Sequence, residues 1–340
     1  MERFAAAAQW KTYAGPWQLR EDLEHESAWA KYRQPLEFAE FTATFSGYHA
    51  TWRPTEQSPE RAIGTRVCPD EFCLLDPTAT GETLRYIATA RLVADSWRAT
   101  LYGQYYDWDM FSNPTYDFQI HQFDRRWTSG GRFERTLLKS ARFNADVGVE
   151  VRYDDIGNVG LDHTDARAFV ENLGKNSVRE SSEALYAEGT WIVTDALRLM
   201  AGLRGDFYSI HVDAKSPVSS AGNKSDHQAQ WKVPVNSASR QSKVHGSSVR
   251  DCAIWVHPLV ADNSQRASSD QAPNLRAAYS HGHYSYYGEL LNALDHRGKD
   301  VVYWYAAHVP GLDPPGFQEE GRISRAEEPR TVRVGLKYEF

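Results

Sequence analysis

Apolar and polar residues alternate at every second position over long stretches of this chain. The pattern runs through residues 84–92, 97–105, 145–153 and 184–212. A repeat of two residues is the period of a β-strand, whose successive side chains point to opposite faces of a sheet. The predicted strands are about 9 to 13 residues long, whereas strands of soluble sheets are typically about 5 to 6. Their length suits strands that cross a bilayer at a tilt.

The face opposite the apolar residues carries full charges. The polar positions of these strands are occupied by Arg85, Arg91, Glu150, Arg152 and Arg204. A water-filled lumen accepts charged side chains, while the apolar face of the same strand meets lipid. The pattern therefore favours a transmembrane β-barrel over a soluble sheet.

The connections between the strands alternate in length. Short turns are predicted at 94–96 and 194–195, and long polar loops at 54–82 and 154–180. Short periplasmic turns and long external loops are typical of outer-membrane barrels. Residues 214–275 are rich in Ser, Asn, Gln and Lys and lose the alternation. They are predicted to be an irregular or disordered insertion, either a long external loop or sequence that no longer encodes strands, for instance after a frameshift.

The composition agrees with a barrel without requiring one. The chain holds 11 Trp, 18 Tyr and 14 Phe, and Trp and Tyr concentrate where a barrel crosses the membrane interfaces. A Tyr-rich soluble β-sandwich that binds sugar would have a similar composition. No run approaches the roughly 20 apolar residues of a membrane helix. The net charge of −7 argues against a general nucleic-acid-binding protein.

The cysteines and the N-terminus bear on where the protein folds. Cys68 and Cys73 lie close together in a predicted loop, and they either close a small disulfide in an oxidising compartment or stay as free thiols. Residues 1–10 are not a signal peptide, because their alanine run is short and polar residues follow it. We therefore expect either that the start of the chain has been lost or that the chain is not exported.

The last strand ends on an aromatic residue. Its apolar positions are Val332, Val334, Leu336, Tyr338 and Phe340. This arrangement resembles the signal read by the outer-membrane barrel assembly machinery. The last strand of a barrel must pair with the first, and its edge is exposed until it does. We predict that these five residues form the barrel-closing C-terminal strand signal; the alternative is an ordinary edge strand of a soluble sheet.

Several segments resemble the TonB-dependent outer-membrane receptors. Residues 327–340 are similar to the closing strand of that family, and 309–315 with 321–323 are similar to its last external loop. Residues 288–295 are similar to a recurring segment that ends in Asn-Leu-Phe-Asp, although this chain has Ala293-Leu294 in place of Leu-Phe. The resemblance covers about 1–213 and 280–340 and is most specific at the C-terminus.

The resemblance implies energy-coupled uptake of a scarce ligand, such as a ferric siderophore, a cobalamin or a glycan. In this family, external loops hold the ligand, and an N-terminal plug domain inside the barrel contacts TonB. No plug is recognised in this sequence. The resemblance therefore implies that residues 1–340 are the C-terminal part of a barrel domain, truncated and not competent alone, with TonB contacted only through the absent plug.

No catalytic motif is found. His25-Glu26 begins a zinc-protease pattern, but Trp29 stands where the second His is required. His281 and His283 are either metal ligands on one face of a strand or, more simply, two lumen or loop histidines. Residues 162–165 are either ligand contacts or part of a solvated loop. The loop aromatics are either ligand contacts or interface anchors; they are Trp108, Phe111 and Tyr116.

Taken together, the sequence predicts an all-β protein of the cell outer membrane. Its fold would be an antiparallel meander of long strands that forms an incomplete transmembrane β-barrel. The expected partners are membrane lipid, the assembly machinery and a small ligand, with no nucleic acid, no enzymatic activity and no cofactor. The alternatives are a plugless outer-membrane pore and a soluble sugar-binding β-sandwich.

Overall fold

The computed structural model describes residues 3–194, 197–232, 235–237, 249–254, 259, 264–267 and 270–338. Most of the described residues are in strands that pair with their neighbours along the chain. The strands of the main sheet are β1 (Phe4–Tyr13), β2 (Leu23–Pro35), β3 (Glu40–Trp52), β5 (Thr80–Val93), β6 (Trp97–Ser112), β7 (Gln119–Lys139), β8 (Phe143–Asp165), β9 (Ala168–Thr194), β10 (Leu197–Ala214), β11 (Gly222–Lys232) and β12 (Val235–Ser237).

Within the described part of the chain, the main sheet is an antiparallel meander of 11 strands. The order follows the sequence from β1 to β11, except that the two-residue strand β4 (Ser58–Pro59) lies outside the sheet and β12 pairs with β10. Turns at 36–39, 94–96 and 140–142 lie at one end of the strands, and the connections at 14–22 and 53–79 lie at the other. The short turns mark the periplasmic end.

Two smaller sheets contain the C-terminal strands. One has the order β13 (Val249–Ile254), β14 (Asp270–His281), β15 (Tyr284–Leu291) and β18 (Thr331–Tyr338); the other joins β16 (Lys299–Ala307) and β17 (Glu319–Ala326) to β4. Among the described residues, β1 pairs only with β2 and β18 only with β15. The fold is therefore the predicted all-β meander, and the sheet is not closed into a complete barrel.

No helix among the described residues is both long enough and apolar enough to cross a bilayer.

Residues 154–180 do not form the predicted loop. Strands β8 and β9 continue through this stretch and meet at a tight turn at Ala166 and Arg167, which both have positive φ. The prediction was wrong because these strand ends extend beyond the membrane, where no apolar face is needed. Such a segment can form a strand although its sequence does not alternate between apolar and polar residues.

The predicted irregular insertion at 214–275 is described only in part. Residues 222–232 form β11 along β10, residues 235–237 and 249–254 form β12 and β13, and β14 begins at Asp270. These pieces are regular strands although their sequence lacks a clear alternation. Most of 238–269 lies outside the described residues, and for that stretch the insertion stays a prediction.

The faces of the sheet have the opposite polarity to a soluble protein. Large apolar side chains are exposed, among them Leu101 at 66% and Val334 at 82%. Charged side chains are buried instead, among them Glu134 at 3% and Asp154 at 3%. An exposed apolar face of this extent is stable when lipid covers it. A buried carboxylate is stable when it is paired with a basic side chain on the polar lumen face.

Aromatic residues lie at two levels of the apolar face. Trp97 and Phe133 stack near the periplasmic end, with ring centroids 6.1 Å apart. Tyr105 and Trp127 contact each other nearer the external end at 4.8 Å. The levels are eight residues apart on β6, which is about 27 Å along the strand and about 21 Å after a tilt of about 40°. This height is close to the apolar band of about 25 Å in membrane barrels, so the two pairs are spaced as the two aromatic girdles of such a barrel are.

Candidate functional site

The lumen face of β6–β10 is a wall of paired charges. Arg98 and Arg132, from neighbouring strands, both contact the buried Glu134, with a distance of 2.7 Å from Arg132 Nη2 to Glu134 Oε2. Arg152 donates to Asp154, with 2.6 Å from Nε to Oδ2. Each carboxylate is covered by an arginine that is itself about half exposed. The lumen therefore faces guanidinium groups, with the carboxylates beneath them.

A second group of charges lies further along the wall. Arg204 on β10 donates to Glu150 on β8 at 3.1 Å and to Asp206 on its own strand at 2.8 Å. On β7, Arg126 also pairs with Asp124 on its own strand. Arginine and an acid two residues apart recur in these pairs because residues i and i+2 share one face of a strand.

At the centre of this wall, a tyrosine ring packs over a glycine and orders the charged groups around it. Tyr186 on β9 crosses Gly148 on β8, where an added Cβ would come within 2.2 Å of the tyrosine ring and hydroxyl. The Tyr186 hydroxyl donates to Glu134 at 2.8 Å and accepts from Arg132 Nε at 2.6 Å. The Arg132 guanidinium also lies 4.9 Å from the ring centroid. Gly148 thus makes room for the group that orders Glu134 and Arg132.

The external connections are locked together by a small core, which we call the clasp. The clasp consists of loop 53–79 and the β16–β17 hairpin. Its buried apolar residues are Ala62, Cys68, Cys73 and Val309. Cys68 and Cys73, whose pairing the sequence left open, form a disulfide with their Cα atoms 5.1 Å apart. β4 pairs with β17 at the same place.

Charged contacts hold the two halves of the clasp. Arg61 Nη1 donates to Asp313 Oδ1 at 2.8 Å, and Arg61 Nη2 donates to Asp313 Oδ2 and to the Ala307 carbonyl. These hydrogen bonds from Arg61 lower the pKa of the Asp313 carboxyl. Lys299 Nζ contacts Glu60 in the same region. The clasp therefore joins a loop near the beginning of the chain to a hairpin near its end.

A buried carboxyl group lies beside the clasp. Glu56 accepts a hydrogen bond from the backbone N–H of Asn113 at 2.9 Å, and Asp76 accepts one from the Asn113 side chain at 2.9 Å. Burial raises the pKa of Glu56 to about 7, with the nearby Asp76 adding to the shift and the Asn113 hydrogen bond opposing it. Tyr116, from the connection 113–118, donates to the Gln57 carbonyl at 3.0 Å. The loops 53–79 and 113–118 thus form one packed unit.

A polar cavity of about 610 Å³ opens at the external end. Three connections contribute to it: Asp22 from 14–22, Arg53 and Thr78 from 53–79, and Arg167 from the β8–β9 tip. Arg53 Nη1 and Asp22 Oδ2 form an ion pair at 2.9 Å. The backbone N–H of Arg167 is held by Gln119 Oε1 at 2.8 Å. Its size and mixed charge suit a polar small molecule.

The three loop aromatics proposed from the sequence have different environments. Tyr116 is buried within the loop packing and is not available to a ligand. Phe111 stacks on His121 at 4.2 Å, at the external end of the outer face. Trp108 lies on β6 opposite Asp124, at a position that alternates onto the lumen face. Only Trp108 is therefore placed towards the interior.

The histidine and acidic candidates belong to no group of three or more possible metal ligands among the described residues. Residues 162–165 end strand β8, where Asp162 accepts from Asn172 Nδ2 at 2.5 Å and His163 lies 3.5 Å from Glu171. His281 and His283 flank the turn at Gly282, which has φ of 58°, so they do not share the face of one strand as the sequence suggested. Within the described ranges, no three His, Cys, Asp or Glu side chains converge on a metal position.

The C-terminal strand has the predicted alternation as far as it is described. Val332, Val334 and Leu336 are exposed on the apolar face of β18. The backbone of Tyr338 pairs with Tyr284, and Phe340 lies outside the described residues. The assembly signal formed by these residues stays a prediction.

The buried partners of the wall were missed by the sequence analysis, although a signal for them was present. Arg132 and Glu134, Arg152 and Asp154, and Arg204 and Asp206 all have the spacing Arg-x-acid. Their recurrence on three strands indicates ion pairs on one face. The clasp contacts had no comparable signal, because Arg61 and Asp313 are 252 residues apart.

The comparisons with known proteins agree with this architecture. The model of the family described as "TonB dependent receptor-like, beta-barrel" matches residues 12–298. Among curated protein sequences, none matches this chain.

Solved structures of outer-membrane receptors share the fold at low sequence identity. The ferric yersiniabactin uptake receptor FyuA from Yersinia pestis is 11% identical with a TM-score of 0.65, over 98% of this chain and 74% of that one. The ferric-catecholate import receptor Fiu from E. coli K12, in its open form, is 10% identical with a TM-score of 0.66, over 99% and 76%. The ferric citrate transporter FecA, in its unliganded form, is 10% identical with a TM-score of 0.59, over 98% and 73%.

The family model covers most of the chain, and the meander, the lipid-facing apolar surface and the polar lumen wall are what such a barrel requires. The chain therefore belongs to the TonB-dependent receptor-like β-barrel family of the cell outer membrane.

Proposed function

We propose that this chain is the barrel part of a receptor for energy-coupled uptake of a scarce ligand, such as a ferric siderophore. The observation that carries the proposal is the polar cavity at the external end of a sheet belonging to this family. Of the structures that share the fold, FyuA is named as a ferric yersiniabactin uptake receptor and Fiu as a ferric-catecholate import receptor. Such a ligand would enter at the cavity and be released along the lumen.

The energy would come from TonB through a plug domain. The elements described in this chain are barrel strands and their connections, so we propose that the chain alone does not transport the ligand. Its other partners would be membrane lipid and the barrel assembly machinery, the latter through the strand ending at Phe340.

Uptake of radiolabelled iron would test this proposal. The complete gene would be expressed in a Gram-negative host that lacks its own siderophore receptors, with and without TonB, and supplied with a panel of ferric siderophores. We expect uptake of one member of the panel that disappears without TonB.

Two other outcomes would contradict the proposal. Uptake that continues without TonB would favour the plugless pore, and no uptake of any member would exclude a ferric siderophore as the ligand. The third candidate, a soluble sugar-binding sandwich, predicts recovery of the folded chain in the soluble fraction after cell lysis. The exposed apolar face of the sheet favours recovery in the membrane fraction instead.

A further inference from the structure

Two strand edges have no partner among the described residues. On one side β1 pairs with β2, and on one side β18 pairs with β15, while the other edge of each strand is open. In lipid, the backbone N–H and C=O groups of an open edge have no water to bind, so sheets that span a membrane close on themselves. Each of these two strands therefore needs a further neighbour.

Side-chain contacts hold the external ends of the two strands together. The Tyr13 hydroxyl, at the end of β1, donates a hydrogen bond to the carboxylate of Glu328, which lies just before β18 begins. In the connection that follows β1, Glu21 Oε1 accepts from Arg325 Nη2 at 3.1 Å. The Arg325 guanidinium also lies 4.6 Å from the ring centroid of the buried Trp17. The external ends of β1 and β18 are therefore adjacent.

The two strands run in opposite directions and have matching faces. β1 runs from the periplasmic end to the external connection 14–22, and β18 runs back from the external clasp. The strand registers place Phe4 of β1 in one row with Leu101 of β6, on the apolar outer face. Phe4 and Trp10 are 64 and 70% exposed, and Val334 is 82% exposed on the apolar face of β18. Antiparallel pairing of β1 and β18 would therefore continue the lipid-facing surface without a break.

A tyrosine that crosses β18 indicates a strand on its far side. Tyr287 on β15 lies over Gly335 on β18, where an added Cβ would come within 2.1 Å of the ring. In the lumen wall, Tyr186 on β9 lies over Gly148 on β8 in the same way. Its hydroxyl reaches Glu134 on β7, which is the strand beyond the glycine. By the same geometry, the Tyr287 ring extends towards the strand that lies next to β18.

We propose that β1 and β18 pair antiparallel in the membrane, so that this chain supplies both strands of a closing seam. On the outer face of the seam, the opposite residues are Trp10 with Val332, Ala8 with Val334 and Ala6 with Leu336. This register keeps the two apolar faces together and places Tyr13 opposite Pro329, beside its partner Glu328. On the lumen face it places Ala7 opposite Gly335, where a small side chain leaves room for the tyrosine that crosses β18.

Membership of the family does not imply this seam. The barrel of an outer-membrane transporter has about 22 strands, and the family likeness does not say which strand of this chain lies next to β18. The seam also does not depend on the proposed uptake, since it concerns how the wall closes and not what passes through it.

Cysteine cross-linking of the full chain, folded into lipid vesicles, would test the seam. A disulfide needs Cβ atoms about 4 Å apart. Directly opposite residues on neighbouring strands come close to this distance, whereas residues two positions off are about 7–8 Å apart. In a Cys252→Ser background, A8C/V334C should form an intramolecular disulfide under mild oxidation. The shifted pairs A8C/V332C and A8C/L336C should form at least about tenfold less.

The matched control is A6C/A30C, because Ala6 and Ala30 are directly opposite each other in the β1–β2 pair. Its disulfide shows that β1 is folded and that the oxidation is sufficient. We expect the seam pair A8C/V334C to reach at least about half of the control yield. Each disulfide is read as a shift in gel mobility that a reducing agent reverses. If A8C/V334C does not fold, A6C/L336C replaces it in the same register.

Three results would overturn the inference when the control pair cross-links. They are no disulfide in any seam pair, a higher yield in a shifted pair than in A8C/V334C, and a disulfide that joins two chains. The last result would mean that the open edges meet a second copy instead of each other. None of the three bears on iron uptake by the complete receptor, so failure here is distinct from failure of the proposed function.

Discussion

Gly148→Ala is the most informative single change in the lumen wall. An alanine Cβ at this position would lie 2.2 Å from the Tyr186 ring and hydroxyl. The β8 backbone is paired on both sides, to β7 and β9, and does not shift easily. The tyrosine must therefore swing away, which breaks its hydrogen bond to Glu134 and its stacking with Arg132.

The expected loss follows from those contacts. A hydrogen bond to a charged group contributes about 1.5–3 kcal/mol, and a cation–π contact about 0.5–1 kcal/mol. Gly148→Ala should therefore lower the free energy of unfolding by about 2–4 kcal/mol. Urea unfolding of the chain in detergent, followed by tryptophan fluorescence, would measure the difference.

Gly103→Ala is the matched control, since Gly103 is also within a paired strand but has nothing within 4 Å of an added Cβ. We expect it to be within about 0.5 kcal/mol of the unmodified chain. Tyr186→Ala should remove most of the penalty of Gly148→Ala when the two are combined. A Gly148→Ala variant as stable as the Gly103→Ala variant would refute the steric reasoning.

Three further predictions concern the external loops and the C-terminus. Cys68→Ser should destabilise the clasp by about 2 kcal/mol through loss of a short cross-link, seen as faster proteolysis within 53–79, and reduction of the unmodified chain should reproduce it. The folded-state pKa of Glu56 is raised to about 7. The stability that protonated Glu56 contributes to the clasp is therefore fully present below its unfolded pKa and is lost as pH rises through about 7. Proteolysis of the clasp should therefore accelerate as pH rises over that range, and it should be independent of pH in the Glu56→Gln variant. A Glu56→Gln variant whose proteolysis still accelerates with pH would contradict the burial argument. Deletion of Phe340 should reduce the amount of chain assembled in the outer membrane, measured by fractionation, whereas deletion of Met1 should not.

The sheet was predictable wherever a strand has lipid on one face and the lumen on the other. Leu101 and Val149 alternate with Thr100 and Glu150, so the sequence predicts both the strand and which of its faces meets lipid. The extensions of β8 and β9 mix polar and apolar residues on both faces, so their sequence shows no alternation. Asp162 and Asn172 hydrogen-bond to each other in what the sequence presented as a loop.

The clasp was not predictable from local pattern for a different reason. Its apolar core is only a few side chains, contributed by segments far apart in the chain. Arg61 and Asp313 are each ordinary loop residues in the sequence, and only the fold brings them together. The open question of Cys68 and Cys73 is resolved in the same way, since the packing of Val309 against the loop buries the pair.

The separation of Arg61 and Asp313 also has a consequence for the order of folding. Closing a flexible loop of 252 residues costs about 5 kcal/mol of chain entropy if nothing between the two ends is ordered. Hairpins such as β5–β6 close over a few residues and form quickly. The clasp is therefore expected to form last, after the strands of the lumen wall have brought the two halves of the clasp together. Folding would then proceed from the membrane-spanning strands to the external loops.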